Sequence, residues 1–128
     1  MIPSFLTLSE VLEIHTDQLA RYGGATGVRD LGQLTSALAM PAATYGGLLL
    51  HADVPEMAAA YLFQIVKNHP FIDGNKRTGA VAALVFLALN HCAFEATQAE
   101  LLRLVTGAAD GHVRKSDVTV FFERHVSV

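Results

Sequence analysis

Apolar side chains recur along the chain with the spacing of helices. Leu8, Val11, Leu12, His15, Leu19 and Tyr22 share one face and predict a first helix from about Leu8 to Arg21. Thr7 and Glu10 stand at capping-box spacing before it, and Gly23-Gly24 ends it. A loop over Ala25–Gly32 leads to a short helix near Leu34–Met40, stopped by Pro41. Ala42–Ala52 fits either an extended strand or a loop that packs one or two of its leucines. Asp53 as N-cap, Pro55 in the first turn and Glu56 at capping-box spacing predict a helix running to about Asn68. After a turn-rich stretch, His69–Asn75, comes a segment from about Lys76 to Asn90 that is apolar on nearly all sides and is therefore expected at the centre. Thr97 and Glu100 cap a further helix to about Ala108, and Ser116 starts the last, to about His125. The expected fold is all-α: a compact helical bundle around the Lys76–Asn90 helix, with at most a short extended flap.

Composition narrows the class. A chain of 128 residues is expected to form one domain, residues 1–128, large enough to fold without disulfides or a structural metal. Hydrophobic residues make up 52% and charged residues 16%, which excludes a disordered tail or a charged coiled coil. Nine Lys and Arg against twelve Asp and Glu argue against a direct nucleic-acid surface, which needs clustered positive charge. With Cys92 as the single cysteine, no intramolecular disulfide can form, and a reducing compartment is the economical expectation. The closest approach to a membrane span, Ala80–Leu89, is about half the length needed. Met1-Ile2-Pro3-Ser4 places no basic segment before an apolar run, so no secretory signal is expected. The expectation is a soluble, cytoplasmic protein with no membrane partner.

One stretch carries more chemistry than packing requires: His69-Pro70-Phe71-Ile72-Asp73-Gly74-Asn75-Lys76-Arg77-Thr78. It opens onto a buried helix, whose free amides and dipole form a ready anion site. Gly74 lets backbone approach a ligand closely. Lys76 and Arg77 place positive charge in a first helical turn, where the dipole favours Asp or Glu, and a bound polyphosphate resolves that conflict. Asp73 then suits the Mg²⁺ that accompanies a nucleotide, and His69 suits a general base toward an incoming hydroxyl. A plainer account also fits the residues alone: His-Pro and Asp-Gly as turn pairs, with Phe71 and Ile72 as core anchors. The stretch is not a P-loop, since neither Gly74 nor Gly79 is followed by Lys and then Ser or Thr.

The run His69–Arg77 resembles the Fic superfamily motif H-x-F-x-[D/E]-G-N-[G/K]-R, with every fixed position filled. Arg21-Tyr22-Gly23-Gly24, Arg29-Asp30-Leu31-Gly32 with Ser36-Ala37-Leu38, Lys67-Asn68 and Thr78 are similar to the death-on-curing (Doc) branch. The likeness covers about residues 5 to 126. It implies a general base at His69, a Mg²⁺ ligand at Asp73 and a phosphate nest at Gly74, Asn75 and the adjacent amides. It further implies a phosphate-pairing arginine at Arg77 and a core plug at Phe71. Members that transfer AMP usually read G-N-G-R-x-x-R; here Lys76 replaces the glycine and Ala80 the later arginine. In Doc-like members that lysine goes with a reversed nucleotide and γ-phosphoryl transfer. The resemblance therefore implies a kinase-type toxin using ATP and Mg²⁺ on a protein hydroxyl, by likeness on elongation factor Tu, with translation arrest as the outcome. An AMPylase, or a catalytically weak module that binds an antitoxin, are the alternatives. No copy of the inhibitory pattern [S/T]-x-x-x-E-[G/N] stands out, so a separate antitoxin protein is the expected partner.

Arg21 and Lys67 match basic residues near the nucleotide pocket of the Doc branch, although each equally suits a helix end on dipole grounds. His15 lies on an apolar face and is expected as a core histidine. Arg29-Asp30 is expected as a loop ion pair or a helix cap. His51, His91, His112 and His125 share no metal-ligand spacing, and Cys92 is expected as a small buried hydrophobe.

Overall fold

Apolar segments at helical spacing build six α-helices among the described residues, four of them with a side-chain N-cap at Thr7, Asp30, Asp53 or Thr97. The computed structural model describes residues 2–127. The order is α1 (Leu8–Tyr22), α2 (Leu31–Ala39), a 3₁₀ turn (Met40–Ala42), β1 (Thr44–Tyr45), β2 (Leu48–Leu49), α3 (Val54–Asn68), α4 (Asn75–Leu89), β3 (Ala93–Phe94), α5 (Gln98–Asp110), α6 (Lys115–His125) and β4 (Val126–Ser127). The mostly α architecture agrees with the sequence reading. Thr7–Glu10 and Thr97–Glu100 each form the expected capping box, and Asp53 accepts from the Glu56 amide at 2.9 Å.

Three details differ from expectation. First, α2 begins at Leu31 rather than Leu34, because Asp30 serves as its N-cap and accepts from the Gln33 amide at 3.0 Å. Second, α3 rather than α4 occupies the middle: it packs against α2, the 3₁₀ turn, α4, α5 and α6, whereas α4 meets α1, α3, α5 and β3. Its run Met57–Leu62 is buried throughout, small enough at Ala58, Ala59 and Ala60 to admit neighbours on several sides. Third, β3 pairs with β4, which ties the chain after α4 to the end of α6 and was not anticipated. Of the two readings open for Ala42–Ala52, the extended one holds, as a short flap. Thr44–Tyr45 and Leu48–Leu49 pair in a hairpin turned at Gly46-Gly47, with Tyr45 and Leu48 84% and 75% exposed and Leu49 and Leu50 also exposed, so the alternative of a loop that packs its leucines does not form.

The core is continuous from Leu6 and Val11 through Met57, Tyr61, Ile65 and Phe86 to Val118 and Phe122. The buried Tyr61 hydroxyl is satisfied by the Leu6 amide at 2.9 Å. Cys92 packs against this core but is half-buried, less enclosed than the buried residue expected. Among the described residues, no helix is long and apolar enough to cross a membrane.

Helices α3 and α4 approach closely because Gly79 has no side chain. A Cβ there would stand 3.0 Å from Val66 Cγ2 and 3.2 Å from the Leu62 carbonyl oxygen, which belongs to backbone and cannot rotate away. Gly79→Val should therefore destabilise the protein by about 1–3 kcal/mol through overpacking. Urea unfolding would show a lower midpoint; an unchanged midpoint would mean that the two helices have room to spare.

Candidate active site

The C-terminus of α3 and the N-terminus of α4 are joined by six residues, His69–Gly74. His69 ends α3 in the left-handed region (φ 50°), a conformation that costs a non-glycine residue energy and must be held by its surroundings. The Arg29 guanidinium supplies one hold, donating from Nε to the His69 carbonyl (2.6 Å) and from Nη2 to the Asn68 carbonyl (2.9 Å). Arg29 is thus not the ion-pair partner of Asp30; it places positive charge on the last carbonyls of α3, where the dipole favours it. The Arg29 and Asp30 amides also donate to the Pro70 carbonyl, and the Ile72 amide donates to the Gly27 carbonyl. The loop after α1 is stitched along the whole turn.

Phe71 is fully buried and anchors the turn. The His15 ring lies parallel to it, centroids 3.8 Å apart, and His15 Nε2 donates to the Asp73 carbonyl at 2.8 Å. His15 is the buried histidine expected, but it also positions the Asp73 backbone. Asn75, the first residue of α4, grips the turn from the other side. Its Oδ1 accepts from the Phe71 amide, and its Nδ2 donates to the Phe71 carbonyl, both at 2.9 Å, while Nδ2 lies 2.6 Å from His69 Nδ1.

The Asp73 side chain is exposed. Its Oδ2 accepts from the Ala25 amide (3.2 Å) and its Oδ1 from its neighbour Gly74 (2.9 Å). These two amides, with Arg77 and His15 nearby, hold its carboxyl below the usual carboxylate range, so it is ionised at neutral pH. The close approach to Ala25 requires Gly24: at φ 126° a Cβ would lie 2.9 Å from Asp73 Oδ2.

Gly74 is the N-cap of α4 and offers no side-chain cap, so the first amides of the helix remain available to a ligand. In front of them lies a cavity of about 520 Å³, lined by Val66, Lys67, His69, Asp73, Gly74, Asn75, Lys76, Arg77 and Ala109. Seven of the eight residues singled out as site residues from the sequence meet here. The exception is Arg21, whose Nε pairs with Asp17 at 2.9 Å on the exposed side of α1 and which is not part of the lining. Asp17, four residues earlier, was the available signal for that pairing. Arg77 donates from Nη2 to the Gly23 carbonyl (3.1 Å), with its guanidinium 5.5 Å from the Tyr22 ring centroid. Sequence reasoning missed the supporting parts played by Arg29 and His15, whose partners lie 39 to 58 residues away.

A family model described as Fic/DOC matches residues 5–87, which include α1 to α3, the turn and most of α4. The chain belongs to the Fic/DOC family. It is 34% identical over 110 residues to the "Protein kinase doc" of Escherichia phage P1, covering 85% of each chain. To the "Toxin Doc" of Mycolicibacterium smegmatis it is 44% identical over 69 residues, which span 54% of this chain and about half (53%) of that one.

Among the described residues, no group of three or more His, Cys, Asp or Glu could hold a metal by itself. The lone exposed carboxylate of Asp73 nevertheless fits Mg²⁺, which takes one or two carboxylates and completes its shell with phosphate oxygens and water. The cavity volume, the uncapped amides and three cations against one carboxylate fit a polyphosphate.

The lowered pKa of Asp73 fixes a pH dependence. Its folded value lies below the ordinary 3.8, so the stability it adds is present above that pH and is lost as pH falls through the folded value. Asp73→Asn should therefore unfold at lower urea than wild type at neutral pH, and the two curves should converge as pH drops below 3.8. A constant difference across that range would show that the carboxylate charge has no part in holding the loop.

Proposed function

We propose that this protein is a Doc-like toxin that transfers the γ-phosphoryl group of Mg·ATP to a hydroxyl of another protein. The observation that carries the reading is the uncapped start of α4, with Lys76 and Arg77 in its first turn, set between His69 and Asp73 around one cavity. The phage P1 relative bears the name protein kinase, which supports the kinase reading over AMP transfer. The likeness to a protein named Toxin Doc supports a toxin held in check by a separate antitoxin protein. A cytoplasmic target, elongation factor Tu by resemblance, and translation arrest belong to the same reading.

In this mechanism the open amides at the start of α4, from Asn75 onward, and the charges of Lys76 and Arg77 hold the phosphates, with Lys67 at the cavity wall. Asp73 would hold Mg²⁺, which would supply charge neutralisation at the phosphates. The target hydroxyl oxygen bonds to the γ-phosphorus as the bond to the β–γ bridging oxygen breaks. ADP leaves, and the hydroxyl proton passes to the His69 imidazole. Little covalent work falls to the protein; phosphoryl transfer depends on positioning and charge, which this cavity provides.

His69→Ala should reduce transfer by about 10²–10⁴-fold while leaving the unfolding midpoint close to wild type, since the side chain is exposed. The assay is purified protein with cytoplasmic extract and ATP labelled at the α or the γ phosphate. γ label in a target protein supports the kinase, α label replaces it with an AMPylase, and neither label favours an antitoxin-binding module.

Lys76 governs the choice of reaction. Its ammonium supplies charge where the transferred group lies, and its bulk excludes the pose that α-phosphate transfer needs. Lys76→Gly should lower phosphoryl transfer and allow some AMP transfer, a gain limited by Ala80 in place of an arginine. Intact-mass spectrometry of the target distinguishes phosphate from AMP; undiminished phosphorylation by Lys76→Gly would remove Lys76 from this role.

A further inference from the structure

The Asn75 amide has a single orientation consistent with its partners. The Phe71 N–H can only donate, so the atom facing it is Oδ1. The Phe71 carbonyl can only accept, so the atom facing it is Nδ2, which leaves the second Nδ2 hydrogen for His69 Nδ1. Flipping the amide would set two donors against each other at the Phe71 amide and two acceptors at its carbonyl. These groups are buried, so such a flip would leave both without partners. A donor aimed at His69 Nδ1 requires a lone pair there, and in a neutral imidazole the proton is then on Nε2.

From this we infer that Asn75 sets the tautomer of His69. With the Asn75 contact in place the imidazole carries its proton on Nε2, and its only lone pair is engaged by Asn75. The inference rests on the reading of His69 as the acceptor of the target hydroxyl proton, and it adds a condition to it. A ring already protonated at Nε2 can accept a second proton only at Nδ1. To accept at Nε2 instead, it must first move its own proton to Nδ1. Either route requires the contact with Asn75 to open. The resting site is therefore closed as a base, although the His69 side chain is exposed, and Asn75 is a positioning residue that acts through His69. Arg29 reinforces the arrangement by fixing the His69 backbone, so that opening must come from a movement of the ring or of the Asn75 amide.

The test is ¹⁵N–¹H correlation spectroscopy of the full chain carrying ¹⁵N-labelled histidine, at a pH where imidazole is neutral, with the His69 signals assigned by their loss in His69→Gln. Wild type should show one form, protonated at Nε2 and unprotonated at Nδ1. Asn75→Asp keeps an acceptor for the Phe71 amide and replaces the donor facing Nδ1 by an acceptor, so His69 should switch to the form protonated at Nδ1. A wild-type ring protonated at Nδ1, or averaging between two forms, overturns the inference. So does a folded Asn75→Asp variant whose tautomer is unchanged. If that variant does not fold, the wild-type spectrum decides alone. The measurement involves no nucleotide or target: should His69→Ala remain active in transfer, the base reading falls while the tautomer assignment stands or fails on its own spectrum.

Discussion

The site depends on the two-sided grip of Asn75 on the backbone of Phe71. The six residues between α3 and α4 have no regular secondary structure to satisfy their amides and carbonyls, yet they carry a buried ring. Phe71 brings its own N–H and C=O out of water with it, and the Asn75 amide is the one side chain that satisfies both. Each bond is worth only about 1 kcal/mol net, but leaving either group buried without a partner costs about 1–3 kcal/mol. With Phe71 seated and His15 stacked on it, Asp73 is fixed from behind through its carbonyl, which leaves its carboxylate facing outward. The position of the acid thus follows from the packing of Phe71 and the His15 hydrogen bond together with its own contacts to the Ala25 and Gly74 amides.

Around that grip the chain accepts several local conflicts. His69 is left-handed, Lys76 and Arg77 stand at the unfavourable end of a helix dipole, and α4 begins with no cap. Structure alone would favour glycine at the first position and acidic residues at the next two. The compensation comes from the loop after α1. Arg29 binds the carbonyls of Asn68 and His69, its amide and that of Asp30 take the Pro70 carbonyl, and Gly23 takes a hydrogen bond from Arg77. Strain at the site is met by hydrogen bonds from a segment about 40 residues earlier in the chain, so the two loops form one structural unit.

What was legible in the sequence follows from the range of the interactions. His69, Asp73, Gly74, Asn75, Lys76 and Arg77 lie within one loop and one helix start, so their order along the chain already specified their grouping, and Lys67 lies in the last turn of α3 just before. Caps at Thr7, Asp53 and Thr97 were legible for the same reason. Arg21 suited a pocket wall and a helix end equally, and only its i,i+4 neighbour Asp17 on the helix surface distinguished the two; it pairs with Asp17 outside the cavity lining. Arg29 and His15 could not be read, because nothing in a local window records which carbonyl a side chain will meet across 40 or 58 residues. The central place of α3 was hidden for a related reason. Apolar content predicts that a helix is buried, but α4, with Gly79, Ala80, Ala82 and Ala83, is as rich in small buried residues as α3, so the number of neighbours each meets depends on where the other helices pack.

The charge distribution connects the fold to its chemistry. The chain as a whole carries a net charge of −3, while the cavity wall holds Lys67, Lys76 and Arg77 against the single carboxylate of Asp73. A positive concavity on a negative molecule draws anions to one place and leaves the rest of the surface unattractive to them. Two of the three cations sit at the first turn of α4, where the helix dipole adds to their field instead of cancelling it. That arrangement opposes folding and favours a polyanion, and the two effects have the same origin. A bound polyphosphate would remove the repulsion and satisfy the open amides together. Ligand binding should accordingly stabilise this end of α4 more than any other part of the molecule, because it is the one helix start among the described residues with two cations inside its first turn and no side-chain or capping-box bond to its amides.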